Sequence, residues 1–181
     1  LQEAVDKDDK ELASKLVDDL RKNYASSPHA SLAALELAEM QLKAAQLPEA
    51  ESSLKFVADN AQAESIRALA SLRLARVQLG RGEAQKALDT LKTVAGDTYG
   101  GEREQIRGDA LSALGKTDEA RKAYDAALVK LDVAAQQRKS IEAKRDDLAA
   151  GTAAPVASSA PTAPVSPAAA ESEAKASAEQ G

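Results

Sequence analysis

Residues 108–128 read GDALSALGKTDEARKAYDAAL, and the rest of the chain is organised around this stretch. It predicts two short helices joined by a tight turn, because Gly115 falls where the first helix must stop and strong helix formers precede it. Gly108 and Ala120 are small residues at the positions where the two helices cross, and Tyr124 supplies bulk beside them. The stretch therefore predicts a helical hairpin.

The second helix of this hairpin is expected to be capped by Thr117 or Asp118, because either side chain can accept a hydrogen bond from a free backbone N–H of the first turn. The order of small and large residues resembles the tetratricopeptide repeat, a helical hairpin of about 34 residues that stacks into solenoids. The resemblance implies that the rest of the chain either repeats this unit or caps it.

Two earlier hairpins are related to this one by two columns of small residues. The segment LAEMQL at 37–42 aligns with LARVQL at 74–79. The first column consists of Ala38, Ala75 and Gly108, and the second consists of Ala50, Ala87 and Ala120. Both columns have successive spacings of 37 and 33 residues. Two independent columns with one pair of spacings favour a repeat over chance periodicity in an alanine-rich chain.

The pattern predicts an all-α, tetratricopeptide-like α-solenoid of about three helical hairpins, with capping helices at its N- and C-terminal ends. The predicted domain covers 1–150: an N-terminal helix at 1–24, repeats at 29–59, 64–95 and 102–131, and a capping helix at 133–150. A disordered tail is predicted for 151–181, because its Ala, Pro and Ser cannot bury enough apolar surface to offset the entropy of ordering.

A glycine-rich segment, GDTYGG at 96–101, introduces the third repeat and predicts a flexible or sharply turned loop. Tyr99 in this segment is either an exposed contact or a plug over the end of the core. We expect the plug, because an aromatic ring stabilises more when it is buried.

The composition argues against several classes of function. The net charge is -5 with signs mixed along the helices, whereas a nucleic-acid surface needs a clustered basic stripe. Without cysteine, neither disulfides nor thiolate metal sites can form. No apolar run approaches the roughly 20 residues that span a bilayer. Because the sequence begins at Leu1, within a helical pattern, we expect a fragment whose natural N-terminus has been removed, and these residues do not exclude a signal or a membrane anchor in the removed part.

No catalytic, metal or cofactor site is recognisable in the sequence. The segment ALSALGKT at 110–117 matches a relaxed phosphate-loop pattern, but it lies at a turn between helices and no strand precedes it. His29 is the only histidine, which is a poor start for a metal site or a catalytic triad. The acidic run at 6–11, DKDDKE, lacks the glycine and the spacing of the terminal glutamate that a calcium loop requires. We therefore expect a protein that is not an enzyme.

The predicted binding surface is the groove formed by the first helices of the first two hairpins. Its residues are Leu32, Leu35, Glu39 and Leu42 in repeat one and Leu69, Leu72, Arg76 and Leu79 in repeat two. Other apolar residues of these helices supply the core, so the helices are apolar on more than one face. Either a terminal helix covers these leucines, or the groove binds a segment of another protein, anchored by the leucines and steered by Glu39 and Arg76.

Three runs together resemble the YfgM-type family of ancillary SecYEG translocon subunits in Gram-negative bacteria: SLAALELAEMQL at 31–42, RLARVQLGRGEAQKALDTL at 73–91 and RGDALSALGKTDEARKAYDAAL at 107–128. The resemblance implies one N-terminal helix in the inner membrane and a repeat domain in the periplasm. It implies as partners the translocon subunits, the membrane-anchored chaperone PpiD and exported chains on their way to periplasmic chaperones. The alternative is a structural scaffold or adaptor of another cell-envelope complex, with contacts along its outer helix faces.

Overall fold

The computed structural model describes residues 3, 4, 7, 9–132 and 135–149, and these residues form eight helices and no strand. The helices are α1 (Lys10–Tyr24), α2 (Pro28–Lys43), α3 (Leu47–Asn60), α4 (Glu64–Gly80), α5 (Ala84–Leu91), α6 (Gly100–Ala113), α7 (Thr117–Lys130) and α8 (Arg138–Ala149). The predicted all-α solenoid is confirmed. The tail predicted at 151–181 lies outside the described residues, and the limits proposed for the individual repeats stay predictions.

The helices pair as three consecutive hairpins, α2 with α3, α4 with α5 and α6 with α7. The second helix of each hairpin also contacts the helix that follows it, and α4 contacts α6 directly. Each helix therefore packs on its neighbours in the chain, which is the arrangement of a solenoid. Within the described residues, no helix is both long enough and apolar enough to cross a membrane.

The turns inside the three hairpins share one backbone geometry. A residue with positive φ lies at the same place in each turn: Ala45 at 56°, Gly82 at 77° and Gly115 at 72°. The next backbone N–H donates to a carbonyl five residues back, from Gln46, Glu83 and Lys116, at 2.8 to 2.9 Å. This is the hydrogen bond of a Schellman C-cap, which glycine favours because it has no Cβ. The stop predicted at Gly115 is confirmed.

The prediction that Thr117 or Asp118 caps α7 is wrong. Lys116 occupies the N-cap position, and no side chain accepts a hydrogen bond there. The helix begins at Thr117, one residue earlier than a Thr117 cap and two residues earlier than an Asp118 cap requires, so that both side chains lie inside its first turn. Asp118 and Glu119 in that turn still favour the helix through its positive N-terminal dipole.

The hydrophobic core consists of three clusters in succession along the solenoid. The first is centred on α1 to α4 and contains Leu37, Leu54 and Val57. The second lies between α4 and α6 and contains Ile106. Tyr99 is half-buried and packs against this cluster. The third joins α6, α7 and α8. Each hairpin thus contributes to the core of the next one.

Terminal helices cover both ends of the described fold. In α1, Ala13 and Val17 are buried, and the guanidinium of Arg21 lies 4.9 Å from the centre of the Phe56 ring. In α8, Ile141 and Leu148 are buried against α7. A narrow apolar stripe is therefore sufficient to hold each terminal helix in place.

Candidate functional site

Leu35 and Leu72, two of the eight predicted groove residues, lie inside the core. Leu35 is 8% exposed and belongs to the first cluster, whereas Leu72 is 0% exposed and belongs to the second. The prediction that these two leucines line an open groove is wrong. The reason is that α2 packs against α1 and α3, and α4 packs against α3, α5 and α6, so that neighbouring helices cover most of each circumference.

The other four leucines of the predicted groove differ in exposure. Leu32 is 51% exposed. The side chains of Leu42, Leu69 and Leu79 are half-buried, and Leu42 and Leu79 pack at the edges of the first and second clusters. Among the six predicted leucines, only Leu32 is therefore exposed, and about half of its surface is open to a partner.

The two charged residues of the predicted groove already have partners within the protein. Glu39 accepts a hydrogen bond at 2.9 Å from Lys43 one turn along α2, and this ammonium lowers the pKa of the Glu39 carboxyl. Arg76 of α4 forms a 2.7 Å ion pair with Glu102 of α6. The Glu39–Lys43 pair is exposed, and such pairs contribute only about 0–1 kcal/mol, so a charged partner segment can compete for Glu39.

An apolar hollow of about 540 Å³ surrounds Leu32 between the starts of α2 and α4. Its lining consists of Pro28, Ser31, Leu32, Ala61, Gln62, Ala63 and Ile66. The guanidinium of Arg67 donates hydrogen bonds to the carbonyls of Ala61 and Gln62 at 2.7 and 2.8 Å, which hold the α3–α4 connection that forms one wall. We refer to this site as the Leu32 hollow.

Except for Leu32, sequence reasoning missed the residues of the Leu32 hollow. Pro28 and Ile66 lie at helix starts, and Ala61 to Ala63 form the connection between hairpins, so none of them belongs to the repeating columns. The longer spacing between the first two repeats is the one sequence signal at this place, because it shows that the connection has its own structure.

The fold and the surface together correspond to a known type of domain. A sequence model of the family described as "Tetratricopeptide repeat-like domain" matches residues 1–150. The chain belongs to this family. Comparisons with curated proteins and with solved structures find no match. Tetratricopeptide repeat-like domains are protein–protein interaction modules in general, so proteins are the partners that the family indicates.

The paired Leu-Ala-x-x-Gln-Leu motif has a structural role in this tetratricopeptide repeat-like domain. Its buried glutamines each accept a hydrogen bond at 2.8 Å from a hydroxyl twelve residues further on: Gln41 from Ser53, and Gln78 from Thr90. Each bond joins the two helices of one hairpin. The two glutamines of the motif therefore help to hold their hairpins closed.

The segments that were considered as possible phosphate-binding or metal sites lie in helices and turns of the repeat domain. Residues 110–117 form the end of α6, the turn and the start of α7, and the Lys116 ammonium lies 4.0 Å from the carboxylate of Glu119. His29 is exposed on α2. In the part of the chain that the structure describes, no group of three or more His, Cys, Asp or Glu side chains is arranged to hold a metal ion.

Proposed function

We propose that this chain is a non-catalytic interaction module that binds an apolar segment of another protein in the Leu32 hollow. One observation carries the proposal: Leu32 exposes half of its surface on the predicted binding helix, beside a concave lining that is mainly apolar. A partner side chain placed there would bury Leu32, Ile66 and Pro28 together. Anchoring an extended or helical segment through apolar side chains is a common mode of peptide recognition.

We further propose that the module is the periplasmic domain of an ancillary SecYEG translocon subunit. The resemblance of the three sequence runs to the YfgM-type family supports this assignment, and membership of the tetratricopeptide repeat-like family is compatible with it. The partners would then be translocon subunits, a PpiD-like membrane-anchored chaperone and exported chains. A single helix in the inner membrane, encoded before Leu1, would hold the domain in the periplasm.

Site-specific photocrosslinking in cells tests the proposed function. A photoreactive amino acid replaces Leu32 in one variant and Val129 in a matched control, because Val129 is also apolar and is 85% exposed on α7. We expect position 32, but not position 129, to capture translocon or chaperone subunits. Equal capture from both positions, or none from position 32, would contradict a binding site in the Leu32 hollow.

A structural scaffold of another cell-envelope complex is the second candidate function. It is favoured by the burial of Leu35 and Leu72 and by the Arg76–Glu102 ion pair, because the protein itself fills much of the predicted groove. The gene sequence upstream of Leu1 distinguishes a translocon subunit with a membrane helix from a repeat protein of another envelope complex. An apolar run of about 20 residues shortly before Leu1 favours the translocon subunit. A secretory signal with a lipidation or cleavage site favours a free or lipid-anchored repeat protein.

A further inference from the structure

A second concave surface lies between α5 and the start of α7, with α6 beneath it. It has a volume of about 480 Å³ and shares no residue with the Leu32 hollow. Its lining consists of Gln85, Leu88, Leu91, Lys92, Val94, Arg103, Glu104, Arg107, Leu111, Lys116 and Glu119. We refer to it as the α5–α7 groove.

The α5–α7 groove lies beside an unusually short second helix. α5 has eight residues, whereas α3 and α7, the second helices of the other two hairpins, each have 14. The segment that follows α5 is held in place, because the Arg103 guanidinium donates hydrogen bonds to the carbonyls of Val94 and Gly96 at 3.1 and 3.3 Å. The wall of the groove is therefore formed by backbone that has its own hydrogen bonds.

The floor of the groove is apolar and belongs to the core. Leu91 and Leu111 are buried, and Leu88 is half-buried in contact with both the second and the third clusters. The groove thus crosses the junction between the second and third hairpins. An apolar side chain placed over Leu88 would be buried without displacing any of these core residues.

The rim of the groove has an excess of positive charge. Its cations are Lys92, Arg103, Arg107 and Lys116, and its anions are Glu104 and Glu119. Glu104 is largely buried and pairs with both arginines, at 3.7 Å from Arg103 and 3.0 Å from Arg107. Two exposed ammonium groups remain on different elements, Lys92 after α5 and Lys116 before α7. This local excess contrasts with the net charge of -5 for the whole chain.

The carboxylates that already contact these two lysines are weak competitors. The ammonium of Lys92 lies 2.7 Å from the carboxylate of Asp89, and that of Lys116 lies 4.0 Å from the carboxylate of Glu119. All four side chains are about half exposed or more. Pairs of this kind contribute about 0–1 kcal/mol, so an incoming carboxylate can share or replace the present partner.

We propose that the α5–α7 groove binds an acidic peptide segment of a partner protein. An apolar side chain of the peptide lies over Leu88, and its carboxylates pair with Lys92 and Lys116. The complementary charges steer the encounter and select acidic partners, and the apolar floor supplies the buried area. The groove goes beyond the proposed function, because it is a second surface that can be occupied while another chain lies in the Leu32 hollow.

Selection from a library of random displayed peptides of about 15 residues tests the proposal on the full chain, since an amphipathic segment of this length can fill such a groove. We expect the selected peptides to be rich in Asp and Glu and to contain Leu, Ile or Phe. Their affinity should fall at least about tenfold in the double variant Lys92→Gln, Lys116→Gln and at raised salt. Circular dichroism should show unchanged helicity, because both lysines are exposed.

The matched control is the double variant Lys15→Gln, Lys55→Gln. These lysines are also well exposed and form ion pairs with Glu11 and Asp59 at 2.8 and 2.9 Å, but they lie on α1 and α3. The proposal is overturned if both double variants weaken binding equally, or if the peptides show no acidic enrichment. It is also overturned if Leu32→Glu abolishes binding of the same peptides, or if they match ESEAKASAEQG at 171–181, which would make the occupant the chain's own segment.

Discussion

At the scale of single residues, the contact between Gly108 and Tyr124 shows how closely α6 and α7 approach. A Cβ built on Gly108 would clash with Cε1 and Cδ1 of the Tyr124 ring. The ring has little freedom to move, because its hydroxyl donates to Asp109 at 2.8 Å. Lys144 of α8 donates to the same carboxylate at 2.7 Å. One small residue therefore permits a contact that ties three helices together.

Gly108→Ala should lower the free energy of unfolding by about 1–3 kcal/mol, the usual cost of overpacking a core. This loss should occur although alanine favours a helix over glycine by about 1 kcal/mol. Urea unfolding of the variant and the parent protein measures the difference. The matched control is Gly80→Ala at the end of α4, where a Cβ would meet no atom within 4 Å. If Gly108→Ala were as stable as Gly80→Ala, the close helix contact would be absent.

Tyr124 should make stability depend on pH in the alkaline range. Burial raises the pKa of its phenol above the ordinary value of 10.0, and the negative charge of Asp109 raises it further. Above about pH 10 the unfolded chain loses this proton before the folded protein does. The contribution of Tyr124 to stability is therefore complete below that pH and decreases as the pH rises.

The comparison with Tyr124→Phe measures this effect, since phenylalanine keeps the ring and removes the titrating group. The difference in unfolding free energy between the parent protein and the variant should be constant below about pH 9 and shrink above about pH 10. A difference that stays constant through this range would show that the Tyr124 pKa is the same in the folded and unfolded states.

At the scale of elements, each of the first two hairpins is closed by a side-chain hydrogen bond, buried in the first hairpin and partly buried in the second. The bonds Gln41–Ser53 and Gln78–Thr90 have the same spacing in the chain and the same length of 2.8 Å. The third hairpin uses the Tyr124–Asp109 bond between its two helices. In each of the three hairpins, a different pair of polar side chains therefore joins the two helices.

A double-mutant cycle with Gln41→Ala and Ser53→Ala should give a coupling energy of about 1 kcal/mol, the usual net contribution of a buried hydrogen bond. The free energies of unfolding of the two single variants, the double variant and the parent supply the four corners of the cycle. The pair Gln41→Ala and Thr90→Val is the control and should give a coupling within about 0.5 kcal/mol of zero, because the residues belong to different hairpins. Equal coupling in both cycles would show that the Gln41–Ser53 hydrogen bond does not specifically stabilise the first hairpin.

At the scale of the whole molecule, stacking decides which leucines contribute to stability and which remain for a partner. Leu32 and Leu72 both belong to the predicted groove, but α5 and α6 cover Leu72 and no neighbour covers Leu32 fully. Leu72→Ala should therefore cost about 2–5 kcal/mol of unfolding free energy. Leu32→Ala should change it by no more than about 0.5 kcal/mol. Thermal and urea unfolding check both values, and similar losses for the two variants would show that Leu32 is part of the core.

The difference between these two leucines also marks the limit of prediction from sequence. The repeat spacing of 37 residues makes Leu32 equivalent to Leu69 and Leu35 equivalent to Leu72. It does not predict how exposed each leucine is, because exposure depends on the helices that pack beside it. The α3–α4 connection forms a wall of the Leu32 hollow, and the short α5 borders the second groove. Neither feature repeats along the chain, so a periodic pattern could not predict either surface.

Local physical chemistry in the sequence alone determined the hairpins. Glycine at Gly82 and Gly115 marks the turns because it accepts positive φ at little cost, and the columns of small residues mark the helix crossings because only they allow close approach. Tertiary structure alone decided the binding surfaces. Burial of Leu35 and Leu72, exposure of Leu32 and the positive rim of the α5–α7 groove each depend on several helices brought together from distant parts of the chain.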